Sequence, residues 1–264
     1  MIVTVSAVLV LTVAVWIGVR TLAAPAGRNV GGLPFTWTAV QGDSGSWAAI
    51  FQQSVTELGP PPPGADQSDE AFPNWVIEHQ GVPSGQYDDQ HGTGIGSSSK
   101  WITLRARSAD LPVMITDLNV EVIERLPALD GAWVAARGWG GERTGRYMVV
   151  DLDGWTPRVL EMANYVEQPG ENNRAVPMKF PYQISTQDYE LFYVEVRTTQ
   201  YVKWRIRIEW STGVTAGTTI IDDQGRPFEV SAPGPNAHAC MPNPEGTEWI
   251  DNWESIDGRT RSCQ

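Results

Sequence analysis

The chain has 264 residues and a mass of 29.0 kDa, with 19 basic against 31 acidic side chains and a net charge of −12. That surplus excludes a nucleic-acid surface, which needs clustered Lys and Arg to displace counterions. A hydrophobic share of 41% with 12 Trp excludes intrinsic disorder, and two Cys exclude a disulfide-dense mini-scaffold.

Residues 1–19 (MIVTVSAVLVLTVAVWIGV) form an uncharged run that ends at Arg20. As a helix the run extends about 28 Å, close to the hydrocarbon thickness of a bilayer. Trp16 sits near its end, where aromatic side chains favour the interface. No basic residue precedes it, so the n-region of a cleaved signal peptide is missing. The run therefore predicts a transmembrane helix, with a cleaved signal or a buried core helix as the alternatives. Arg20 and Arg28 follow the run, so the positive-inside count alone would keep the body in the cytoplasm.

The cysteines argue the other way. Cys240 and Cys263 are the only two, and a bridge between them closes a loop of about 23 residues, worth roughly 3 kcal/mol in chain-entropy terms. The alternative is a pair of unrelated buried thiols. Disulfides persist outside the cytosol, so the expected location is the cell membrane, single-pass, with an extracytoplasmic body.

Residues 20–34 are small and unpatterned and predict a juxtamembrane linker; residues 35–264 predict one extracytoplasmic domain with long loops. Strands are expected at 35–40 and 47–51, followed by a short segment at 75–77. Pro60 to Pro63 and the Gly/Ser-rich stretch 92–99 read as surface loops. Beyond Trp101 the pattern is plainly β. Val202, Trp204, Ile206, Ile208 and Trp210 alternate with Lys203, Arg205, Arg207 and Glu209, a period of two that fits a strand with one buried face. Residues 191–198 precede it across Thr199-Gln200, which predicts an antiparallel hairpin. Further strands are expected at 101–106, 113–123, 132–136, 147–152, 218–222 and 228–231. Many short strands without a long amphipathic helix predict a mainly-β antiparallel sandwich. Trp249, Trp253 and Ile256 fall at helical spacing and predict a short terminal helix.

The stretches VMITDLNVEVIERLPALDG (113–131), RYMVVDLDG (146–154), FPYQIS (180–185), ELFYVEVRT (190–198), VKWRIRIEWSTG (202–213) and IIDDQGRPFEVS (220–231) carry a resemblance. They resemble largely uncharacterised single-span, membrane-anchored proteins of actinobacteria, of the Streptomyces type. The resemblance covers about residues 101–231 and implies a β-rich extracytoplasmic module behind one transmembrane helix. It transfers no catalytic motif.

Each local chemical motif lacks its partners. Gly42-Asp43-Ser44-Gly45 looks like a serine-protease loop, but the first His comes later, at His79. Ser97 and Lys100 match Ser-x-x-Lys without the accompanying Ser-Asp-Asn or Lys-Thr-Gly. Asp151-x-Asp153-Gly154 and Asp222-Asp223-x-Gly225 offer alternate carboxylates but no full calcium loop; a calcium site at a sheet edge stays open. His79, His91 and His238 lack ligand spacing, and Gly138-Trp139-Gly140-Gly141 lacks the third Gly of a dinucleotide loop. No catalytic, metal or cofactor residue is assigned.

Trp139 and Trp155 remain, in turn-rich segments where a flat ring can stack on a ligand or pack over a sheet end. The expected function is a non-enzymatic, membrane-tethered binding module whose partner is an envelope protein or a cell-wall glycan. A carbohydrate-binding sandwich and, behind it, a hydrolase are the alternatives.

Overall fold

The computed structural model describes residues 32–42, 48–64, 71–87, 95–135, 145–168, 171–187, 189–251 and 262–263. Within them the chain is mainly β, arranged as three sheets with two short helices. The main sheet runs β1 (Phe35–Gln41), β5 (Ile95–Ala106), β12 (Glu190–Thr198), β8 (Gly145–Asp151), β9 (Arg158–Gln168), β10 (Glu171–Pro177), with β4 (Gly85–Tyr87) also on β5. A facing sheet runs β11 (Tyr182–Ile184), β6 (Val113–Leu126), β13 (Tyr201–Ser211), β14 (Ala216–Ile221), with β15 (Phe228–Ser231) beside β13. The third sheet runs β17 (Trp249–Asp251), β16 (His238–Pro242), β7 (Ala132–Ala135), β2 (Ala48–Ile50), β3 (Val82–Pro83). Helices α1 (Val55–Leu58) and α2 (Ala71–Glu78) belong to the third sheet's side of the molecule.

Alternation in sequence builds the main core. Val202, Trp204, Ile206 and Ile208 of β13 are fully buried, and face Phe35, Ile102, Leu104, Phe192, Val194 and Val196 of the main sheet. Each such side chain contributes about 1.5–3 kcal/mol on burial. The opposite face of β13 is a charge ladder: Lys203 to Glu124 at 2.8 Å, Arg205 to Glu121 at 2.8 Å, Arg207 to Glu121 at 3.0 Å. Trp210, at the strand end, is partly buried and donates from Nε1 to Thr219 Oγ1 at 3.0 Å.

The connection at Thr199-Gln200 is not a hairpin. β12 pairs with β5 and β8, whereas β13 pairs with β6, β14 and β15, so the chain crosses between sheets here. Both strands carry an apolar inner face, and crossing lets both faces meet one core, which a hairpin would place side by side in one sheet. Pairing is also not uniformly antiparallel, since β12 with β8 and β16 with β7 are parallel.

The third sheet has apolar residues on both faces. One face, with Phe51, Leu58, Phe72, Val76 and Cys240, packs around Trp75, whose ring lies 5.2 Å from Phe51 and 5.4 Å from Trp249. The other, with Ile50, Trp133 and Ala239, packs toward Leu129 and Tyr201. Five of the 12 Trp (Trp37, Trp75, Trp133, Trp204, Trp249) are thus core residues.

Three further expectations change. The stretch 92–99 is strand from Ile95 onward, because β5 runs under β15; a Cβ on Gly96 would lie 2.1 Å from Ser231 O. The segment around Trp75 is helical and buries Phe72, Trp75 and Val76 on one side. Trp249 starts a strand paired with β16 where a helix was predicted, and Trp253 and Ile256 lie outside the described residues. Residues 1–19 also lie outside them; among the described residues no helix is long and apolar enough to cross a membrane.

Candidate functional site

The loop between β8 and β9, residues 152–157, is held by its own carboxylates. Asp151 Oδ1 accepts from the Asp153 amide at 2.9 Å, an Asx-type turn, and Asp151 Oδ2 pairs with Arg158 across the loop base at 3.0 Å. Asp153 reaches the crossing between sheets: Oδ1 accepts from Thr198 Oγ1 at 2.6 Å and the Thr199 amide at 2.9 Å, while Oδ2 accepts from Thr199 Oγ1 at 2.8 Å. From the facing sheet, Arg125 donates to Leu152 O at 3.0 and 3.1 Å and to Gly154 O at 2.6 Å. Leu152 is buried, and so the loop is fixed on three sides.

On this frame stands Trp155, 96% exposed. β9 begins beside it with Val159 and Leu160, both exposed, and the end of β6 that supplies Arg125 carries exposed Ile123 and Leu126. A fixed loop presenting a bare indole to solvent is a preformed contact surface. The sequence showed Trp155 in a turn-rich segment; that it stands in solvent depends on Arg125 and Thr199, which are distant in the chain. Trp139, the other candidate ligand contact, lies outside the described residues.

The carboxylates of Asp151 and Asp153 point at donors, not at a shared vacancy. Asp222 Oδ1 likewise accepts from the Gly225 amide at 2.7 Å, and Asp223 pairs with Arg226. Among the described residues no group of three His, Cys, Asp or Glu side chains converges as a metal site.

The outer face of the main sheet carries an aromatic row. Trp101, Tyr193, Tyr147 and Tyr165 follow one another across β5, β12, β8 and β9, with ring centroids 4.6, 4.6 and 5.9 Å apart. Beside it lies Glu195, a charged residue only 4% exposed, which accepts from Tyr147 OH and from Arg197 Nε at 2.7 Å. Glu161 accepts from Tyr165 OH. Tyr193 and Tyr147 are buried, so the row is packing and presents no open stacking platform.

Ser97 and Lys100 do not form a Ser-x-x-Lys pair. Three residues apart on a strand, they face opposite sides of the sheet. Ser97 Oγ donates to Gly85 O at 3.1 Å on the outer side. Lys100 shares the inner face with Ile102 and Leu104, its Nζ 2.5 Å from Gln41 Oε1 and 4.8 Å from the centre of the Phe228 ring. Burial lowers its pKa to about 8, against the opposing pull of Asp223. In the sequence Lys100 stands out only as the end of a Ser-x-x-Lys match; its place on the parity of Ile102 and Leu104 is the signal of its burial.

The remaining motif residues have structural partners. Cys240 and Cys263 form the expected disulfide, with S–S 2.07 Å and Cα–Cα 5.0 Å. The His79 ring lies 4.6 Å from that of Trp75, and His238 Nδ1 is 2.6 Å from Ser262 O. Gly42 takes part in the sheet through its amide, 3.0 Å from Ser99 O; Asp43, Ser44, Gly45, His91 and the 138–141 glycines lie outside the described residues. No family model, curated protein or solved structure matches this chain.

Proposed function

We propose that the chain is a membrane-tethered, extracytoplasmic binding module without enzymatic activity, and that it meets an envelope partner through the β8–β9 loop. Residues 1–19 are its transmembrane helix, residues 20–34 its linker, and residues 35–264 its exported body, a β-sandwich of the main and facing sheets flanked by the third.

The observation that carries this reading is Trp155. A large ring held in water by a loop fixed through Asp151, Asp153 and Arg125 loses little conformational freedom when a partner covers it. The disulfide supports an oxidising compartment. The net charge of −12 suits a body held off an anionic membrane surface.

The test is retention of the chain on isolated cell envelopes, compared with Trp155→Ala. A loss of tenfold or more in affinity is expected for the variant, and equal retention of both proteins would sink the proposal. The same exposed indole favours a second reading, a cell-wall glycan as the partner, because a flat ring stacks on a sugar face. Retention on protein-free peptidoglycan, competed by soluble glycan fragments, supports the glycan; retention only on fractions containing envelope proteins supports a protein partner.

A further inference from the structure

We propose that Lys100 and Gln41 are joined by an intramolecular isopeptide bond, formed when the Lys100 amine displaces ammonia from the Gln41 carboxamide. The two residues are direct cross-strand partners in the β1–β5 pair. Their side chains meet on the inner face, with Nζ 2.5 Å from Oε1. Among the described residues that oxygen is the only hydrogen-bond partner of Nζ, which also lies 4.8 Å from the centre of the Phe228 ring.

A lysine in this position would ordinarily be paired with a carboxylate, because an unpaired ammonium is costly to bury. Among the described residues the only carboxylate that acts on it is that of Asp223, at a distance, and burial moves the amine toward its neutral, nucleophilic form. The electrophile is already beside it. Holding two reactants in contact replaces an encounter by an effective concentration that reaches about 10⁵ M or more in well-oriented cases. Gln41 Nε2, the leaving nitrogen, donates to Ser98 Oγ at 3.5 Å, a contact on the inner face of β5 that orients the carboxamide.

The step balances without any other reagent. The lone pair of the neutral amine adds to Cδ of Gln41, and the carbonyl π pair moves onto Oε1. A proton passes from Nζ to Nε2, the carbonyl re-forms, the Cδ–Nε2 bond breaks and ammonia leaves. The product is a secondary amide that keeps one N–H on Nζ. It ties the edge strand β1 to β5 across a sequence separation of 59, and it does not depend on whether residues 1–19 cross a membrane.

Mass spectrometry of the purified full chain tests this. The intact protein is expected to weigh one ammonia less than its disulfide-bonded sequence, and a digest should yield the Gln41 peptide joined to the Lys100 peptide. Lys100→Arg and Gln41→Ala should each restore the full mass. Recovery of Gln41 and Lys100 from the wild-type chain in separate, unmodified peptides would overturn the proposal. So would a mass deficit that survives in both variants.

Discussion

Asp153 and Thr199 lock the point at which the chain leaves the main sheet for the facing sheet. The two carboxylate oxygens of Asp153 accept from the Thr199 amide at 2.9 and 3.0 Å, and Oδ2 accepts from its hydroxyl at 2.8 Å. The same aspartate shapes the loop that displays Trp155, so the crossing and the display are parts of one local structure.

Asp153→Ala is therefore expected to lower stability by about 2 kcal/mol, since hydrogen bonds to a charged group contribute about 1.5–3 kcal/mol. Asp153→Asn should keep part of that. Urea denaturation measures both, and a change below about 0.5 kcal/mol for the alanine variant would refute the structural role.

Trp155→Ala should leave stability within about 0.5 kcal/mol of the parent, because the ring packs against little. Trp204→Ala, at the centre of the core, should cost about 3–5 kcal/mol. Acrylamide quenching gives a second readout: the Trp155 variant should lose a readily quenched part of the tryptophan emission.

Reducing the Cys240–Cys263 bond, or replacing both residues by Ser, should cost about 3 kcal/mol for a loop of this length. Thermal melts with and without reductant measure it. The Ser variant should show no response to reductant.

In a Gln41→Ala protein Lys100 stays an amine, and burial still lowers its pKa in the folded chain. With a folded value of about 8 against 10.5 unfolded, the folded state binds fewer protons between those values. Stability from this group therefore rises with pH from about 8 to 10.5; below 8 both states are charged and the burial cost is present in full. The difference corresponds to about 3 kcal/mol at most. Gln41→Ala should be less stable than Gln41→Ala/Lys100→Met at pH 7, and the gap should close by pH 10.5. A gap independent of pH would contradict the assignment.

The β13 strand was legible because its alternation is local: period two needs only neighbouring residues. The fate of its connection was not. A two-residue link between patterned strands normally makes a hairpin; here both strands bury their inner faces in one core, and Asp153, 46 residues away in sequence from Thr199, holds the crossing. The start of β5 was hidden by its composition, since Gly96 and three serines read as loop although a close approach of Ser231 requires the glycine. Arg125 fell two residues beyond the expected strand 113–123; its hold on Leu152 and Gly154 arises from sheet packing. Of the site itself, the sequence singled out Trp155 by its setting in a turn, and the supports of its loop came from three separate segments.

The order of strands in the main sheet has a consequence for the nascent chain. β12 stands between the β1–β5 pair and the β8–β9–β10 ribbon, so neither half can be closed before residue 198 has been synthesised. Until then both halves carry an open hydrogen-bonding edge. Such long-range closure is slow compared with local pairing, and open edges are sites of aggregation. The main sheet is thus completed only late in translation, and until then its open edges are what a chaperone would have to protect.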